Sequence, residues 1–324
     1  MKKVGITTTV PLEPFFASGT IPVDLNNSFM DSDDPAGLVE EAQVRGFPRN
    51  ICTWIKGLYG SSHDLEGVVG VVRGDCSNTE SLLETLSSEG IETHPFSYPP
   101  DRSRRALLAE VESLCDFLGC DLESCERVAP EIEELRDLAR KVDEIRWKYL
   151  SVSAQEAHVV QLSTSDFDSD PVSWKKRVEG VLKKGREIHE GEGIRLGYIG
   201  VPPIITDIFP SVEDMGGEVV FFETQRQFTM PFREDDWINR YLSYTYPYDI
   251  AGRVKDIQKE IKVRNIQGII HYVQSFCHRQ IDDILFRKEI DVPILTIEGN
   301  LPGPLDGRTR LRLESFIDVL EGID

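Results

Sequence analysis

Residues 67–76 read GVVGVVRGDC, and this stretch decides the fold. From Gly67 to Val72 no side chain is polar, so neither face of a strand built from it can meet water. Antiparallel strands with one wet face alternate apolar and polar residues. An unbroken apolar run instead fits a central parallel strand covered by helices on both sides. Working outward, VGITTTV, IPVDLN and IETHPFSYP read as companion strands, with LVEEAQVR and TWIKGLYGS as helices between them. The second half repeats the pattern: RLGYIGVPP, the end of SVEDMGGEVVFFET, NIQGIIHYV and DVPILTIEG read as strands. Strands alternating with amphipathic helices signal an α/β protein with open parallel sheets.

The middle is helical. Leu107, Leu108, Val111, Leu114 and Leu118 recur at three and four residues and make one apolar stripe. Pro130 reads as the opening of a second helix that buries Ile132, Leu135, Leu138, Val142 and Ile145. The polar run STSDFDSDPVS, residues 163–173, reads as a boundary, with a helix from Asp170–Pro171 through Lys184. A closing amphipathic helix in TRLRLESFIDVLEGI has Leu311, Phe316, Val319 and Leu320 among its apolar positions. The expected organisation is an N-terminal α/β domain over 1–162 that includes the helical segment 101–150. A linker and helix follow over 163–190, then a C-terminal α/β domain over 191–324.

Composition limits the function classes. The 324 residues carry 36 basic against 56 acidic side chains, a net charge of −20. Phosphate backbones and anionic membranes reward Lys and Arg, so neither nucleic acid nor membrane is an expected partner. An anionic substrate would need locally placed positive charge, for which Arg308, Arg310 and Arg312 are candidates. Alternate positions on one helix cannot all face inward, so at least one of the three is expected in solvent. No apolar run approaches a membrane span. The opening MKKVGITTTV, broken by Thr7, Thr8 and Thr9, reads as a first strand and not a signal peptide, and a cytoplasmic setting is expected. There is no G-x-x-x-x-G-K-[ST] phosphate loop and no G-x-S-x-G elbow. GEGIRLG, residues 191–197, precedes its strand and cannot cradle phosphate at a helix start.

The six cysteines carry the remaining chemistry. Cys52 precedes a Trp-containing helix, Cys76 follows the GVVGVV strand, and Cys277 follows NIQGIIHYVQ. Thiols at such junctions suit a soft metal or an iron–sulfur cluster, and a helix start favours thiolate. Pattern alone leaves two readings open: a shared metal site, or three buried small hydrophobes. Zinc is the competing metal, with His278 completing a set of four, although no close C-x-x-C pair is present. His271 and His278 each read more simply as surface or hydrogen-bonded histidines. Cys115, Cys120 and Cys125 recur every five residues, which turns a helix by about 140° per step. On a continuous helix they cannot share a face; Gly119 could end the helix and undo that argument, but Cys115 lies in the Leu107–Leu118 stripe, and the three read as core.

The motifs together resemble the 2-hydroxyacyl-CoA dehydratase family, the iron–sulfur component of the 2-hydroxyglutaryl-CoA type. TTTVPLEPFFASGTIPVDL resembles the family's opening, SFCHRQIDD its late Phe-Cys, and DVPILTIEGNLPGPLDGRTRLRLESFIDVL its ending. The resemblance implies two flavodoxin-like open parallel-sheet domains with a [4Fe-4S] cluster held by three cysteines, here matching Cys52, Cys76 and Cys277. It also implies a separate ATP-hydrolysing activator iron–sulfur protein that injects a low-potential electron, and removal of water from a 2-hydroxyacyl-CoA through a ketyl radical. A lyase or reductase component working anaerobically, with a second family subunit or a second copy as partner, is the expectation. Glu13, just past the first strand, is the candidate acid or base, with helix N-terminal capping as the bland alternative. The chain is shorter than the paired dehydratase subunits and has Asn300 where an Asp is expected. A non-catalytic electron-transfer subunit or a zinc-stabilised binding protein are the alternatives.

Overall fold

The computed structural model describes residues 2–184 and 193–322. The end of the expected linker, residues 185–190, and the start of GEGIRLG lie outside the described residues. The chain forms two compact units, each drawn from separate stretches of sequence. The first gathers Met1–Asp137, Ser163–Lys175 and Met230–Asp249; the second gathers Leu138–Leu162, Lys176–Thr229 and Ile250–Asp324.

Each unit is built on one four-stranded, all-parallel sheet. In the first, β1 (Lys3–Ile6), β2 (Ile21–Asp24), β3 (Gly67–Arg73) and β4 (Thr93–Ser97) lie in the order β2-β1-β3-β4. Val4 pairs with Gly67 and Ile6 with Val69. Val68, Val69 and Val71 are fully buried, as the apolar run requires. Gly70 lets the helix Thr79–Ser88 close on β3, because a Cβ there would stand 2.7 Å from Leu83. In the second unit, β5 (Ile194–Gly200), β6 (Gly217–Phe222), β7 (Gly268–Gln274) and β8 (Ile294–Gly299) repeat the scheme as β6-β5-β7-β8. This is the flavodoxin-like, doubly wound arrangement. Connections leave β1 and β3, and likewise β5 and β7, toward opposite sides. The carboxyl ends of those strand pairs therefore flank a crevice in each sheet.

Two expectations need correction. Pro130 does not open a helix: it lies inside Leu122–Tyr149, which begins where the Asp121 carboxylate accepts the Ser124 N–H. Pro130 and Glu126, whose carbonyl loses its usual donor, are both exposed, so the unpaired carbonyl lies on the solvent side of the helix, where the loss costs least. The polar run 163–173 begins where the chain passes from the second unit back into the first, at Ser163. Ser163 to Phe167 are buried, Ser169 Oγ donates to the Pro22 carbonyl of β2 at 2.8 Å, and only then does the helix Pro171–Lys184 begin. In the last helix, Gly307–Glu321, the buried residues are Thr309, Leu313, Ile317 and Leu320, while Leu311 and Val319 face solvent. Asp306 starts the helix by accepting the Arg308 and Thr309 N–H groups with its side chain.

Candidate functional site

The carboxyl edge of the first sheet collects three of the candidate residues. Cys52 is the buried N-cap residue of the helix Thr53–Gly60. One turn on, buried Lys56 donates to the Arg49 carbonyl at 3.0 Å. Burial lowers the Lys56 pKa, and the charge of Cys52 works the other way, so cation and sulfur feel each other. Cys76 follows β3 directly and is half-buried. The backbone N–H of Asn78 points at its sulfur at 3.4 Å, and the Asn78 side-chain amide at 3.8 Å. Two N–H donors on one sulfur favour the thiolate, the form that binds metal. Both thiols pack on one hydrophobic cluster with Ile55, Leu58 and Leu82.

Glu13 opens the helix Glu13–Ser18 just beyond β1 and is fully buried. Neither oxygen of its side chain accepts a backbone N–H. Instead Oε2 accepts the Tyr241 hydroxyl at 2.8 Å. That hydroxyl in turn accepts Arg136 Nη2 at 2.6 Å and the Leu12 N–H at 3.1 Å. Arg136, also fully buried, stands 3.5 Å from Glu13 Oε1 and lies over the Tyr241 ring. Burial opposes the charge on Arg136, but Tyr241 and Glu13 raise its pKa beyond its already high value. Burial pushes the Tyr241 phenol up, with Arg136 opposing. Glu13 Oε1 and Arg136 Nε and Nη1 have no hydrogen-bond partner.

In the second unit, Cys277 stands in the place Cys76 holds in the first, just after the third strand of the sheet order. Phe276 turns the chain with φ 64°, and the Cys277 N–H donates to the Gln274 carbonyl at 3.0 Å. A small cleft beside it is lined by Gly200, Arg253, His271, Arg279 and Gln280. Buried Arg253 holds Glu223 through two bonds of 2.6 and 2.9 Å and Asp282 through one of 2.7 Å. His271 Nδ1 meets Asp283 at 2.7 Å; burial lowers its pKa and Asp283 partly restores it.

The remaining thiols behave otherwise than the spacing argument expects. Gly119, at φ 80°, ends the helix Arg104–Leu118, and the Cys120 N–H closes back on the Cys115 carbonyl at 3.0 Å. Chain reversal then brings Cys115, Cys120 and Cys125 together, with all three sulfurs within 4.8 Å of one another. Such a set can bind a metal. Cys115 and Cys125 are nonetheless buried, as core residues are.

The family described as 2-hydroxyglutaryl-CoA dehydratase, D-component, matches residues 7–320, nearly the whole chain. The chain belongs to this family. No curated protein matches it.

Within the dehydratase-family frame, the basic residues of the last helix are engaged locally. Arg310 donates to Ser211 at 3.0 Å and Arg312 to the Thr296 carbonyl at 2.7 Å, while Arg308 is exposed. Asn300 offers its backbone carbonyl to Gln274 at 2.9 Å. Arg136 and Tyr241 are the site residues that sequence reasoning missed. The signal for Arg136 was present: it sits between Leu135 and Ala139 on the buried stripe of its helix, where a lone cation demands a partner. Tyr241 gave none, since its stretch of chain joins the first unit only through the fold. No described helix is long and apolar enough to cross a membrane.

Proposed function

We propose that this chain is an iron–sulfur component of the dehydratase type, with Cys52, Cys76 and Cys277 holding a [4Fe-4S] cluster. The observation that carries the reading is positional. Cys76 and Cys277 follow the third strand of their sheets, and Cys52 caps a helix at the carboxyl edge. The donor set fits the group: soft thiol sulfurs, one facing two N–H donors and one beside a buried lysine. When bound, such a cluster supplies a low-potential electron and one iron position free of protein ligands.

The chain's own residues then bind and move protons. Glu13 Oε1, buried and without a hydrogen bond, is the atom at which a proton is held or released, and Tyr241 and Arg136 fix its carboxyl group. The electron comes from an ATP-hydrolysing activator protein, and the substrate class is a 2-hydroxyacyl-CoA thioester. A second family subunit or a second copy completes the assembly.

Anaerobic reconstitution with iron and sulfide, followed by metal analysis and EPR, tests this. Several irons with matching sulfide should bind each chain, and Cys52→Ala, Cys76→Ala and Cys277→Ala should each lose them. Iron content unchanged by these substitutions would overturn the proposal. Assay with activator, ATP and a 2-hydroxyacyl-CoA, with and without a partner subunit, tests the reaction.

A further inference from the structure

We propose that Cys115, Cys120 and Cys125 form a second metal site, independent of the cluster, that binds a single divalent d10 ion of the zinc class. Three features of the turn between Arg104–Leu118 and Leu122–Tyr149 support it.

The first is distance. Zinc–thiolate bonds of about 2.3 Å at tetrahedral angles place ligand sulfurs about 3.8 Å apart. Cys115 and Cys125 sulfurs are 3.6 Å apart, and no pair in the set exceeds 4.8 Å. A four-iron cube spreads its cysteine sulfurs over separate irons at separate corners, so it needs a wider set than this one. The spacing also exceeds a covalent disulfide, whose bond is about 2.05 Å.

The second is the surroundings. Cys115 and Cys125 are buried, and Cys120 is half-buried with its sulfur 3.4 Å from the Pro14 carbonyl oxygen. The Cys125 thiol is pushed up, first by its bond to Cys115. Metal binding displaces the thiol protons, and the sulfurs are already gathered for it. The carboxylates of Asp116 and Asp121 oppose thiolate at Cys115. That acidic setting favours a divalent ion over Cu(I), which would leave one more negative charge in a buried place. Cys120 is the half-buried member of the set, so a fourth, non-protein ligand would come from its side.

The third is construction. The reversal at Gly119, the Asp121 cap and the first turn of the next helix all hold the thiols without metal. A preformed set of ligands binds without ordering cost, and metal there pins the two helices together.

The test uses the full chain carrying Cys52→Ser, Cys76→Ser and Cys277→Ser, so that no cluster forms and failure of the site is distinct from failure of the cluster. Titration with Cd2+ as a spectroscopic stand-in, then with Zn2+, is followed by thiolate-to-metal absorption, metal analysis and thiol alkylation. One ion per chain, saturable absorption and protection of three thiols are expected. Adding Cys120→Ser, at the half-buried position, should weaken binding at least tenfold while far-ultraviolet circular dichroism stays unchanged. The proposal fails if the folded chain shows no stoichiometric absorption, if Cys120→Ser binds equally well, or if mass spectrometry finds a Cys115–Cys125 disulfide after anaerobic purification.

Discussion

The Tyr241 hydroxyl serves three buried groups at once: it donates to Glu13 and accepts from Arg136 and the Leu12 N–H. Tyr241→Phe keeps the ring under Arg136 but leaves two donors and one acceptor without their partner. At about 1–3 kcal/mol for each orphaned buried group, partly relieved by relaxation, a loss of about 3 kcal/mol is expected. Urea unfolding of the variant measures it, and a change under about 1 kcal/mol would mean the triad is not held as described. A second buried group makes stability depend on pH. Burial, with the Asp24 carboxylate beside it, raises Asp166 to about 8. Its carboxyl oxygens accept the Asp24 N–H at 2.8 Å and the Asp168 N–H at 3.0 Å. The native state then holds a proton that the unfolded chain has released. Stability is therefore full below the ordinary carboxyl range and declines as pH rises toward about 8. The expected slope is up to about 1.4 kcal/mol per pH unit, and Asp166→Asn should flatten it. Unfolding curves taken at successive pH values check this, with a rise in stability over the interval as the contrary result.

The helix Thr53–Gly60 shows how packing sets the place of a functional thiol. Gly57 faces the Phe29 ring so closely that an added Cβ would lie 2.4 Å from it. Gly57→Ala must push the helix away, at about 1–3 kcal/mol, and Cys52 moves with its first turn. Lower thermal stability together with poorer iron retention after reconstitution is expected; loss of stability with full iron retention would show that Cys52 does not need this position. Strands and helices of this kind were legible in the sequence because burial on both faces writes itself as an apolar run, as in β3. Helix rotation was less so. In Gly307–Glu321 the side chains of Leu311 and Leu313 are equally apolar, and Leu313 is the buried one because it shares the three- and four-residue spacing of Thr309, Ile317 and Leu320. Pro130 was misread because proline favours a first turn, while here a water-exposed face tolerates it in the interior. The convergence of Cys115, Cys120 and Cys125 was hidden because Cys115 lies in an apolar stripe and so reads as core whether or not Gly119 ends the helix. It depends on a single left-handed residue, Gly119.

The two sheets share one strand order, and in both a cysteine follows the strand just beyond the point where connections diverge. Cys76 and Cys277 are thus topological counterparts, and each is half-buried at a loop. This equivalence makes them better probes of cluster binding than Cys52, which is 5% exposed and packed in a core, so that its removal changes packing as well as ligation. Truncating a half-buried loop thiol to alanine should cost under about 1 kcal/mol. Cys76→Ala and Cys277→Ala should therefore unfold near the unsubstituted chain in the absence of iron. After anaerobic reconstitution and exposure to a chelator, both should have lost iron to a similar degree, because each removes one of three sulfurs. Stability of the reconstituted chain should fall in parallel, since a ligand bound only by the native state stabilises it by mass action. If Cys76→Ala loses iron and Cys277→Ala retains it, the ligand set lies in the first unit alone. The counterpart thiol after β7 then serves the Arg253-lined cleft beside it instead.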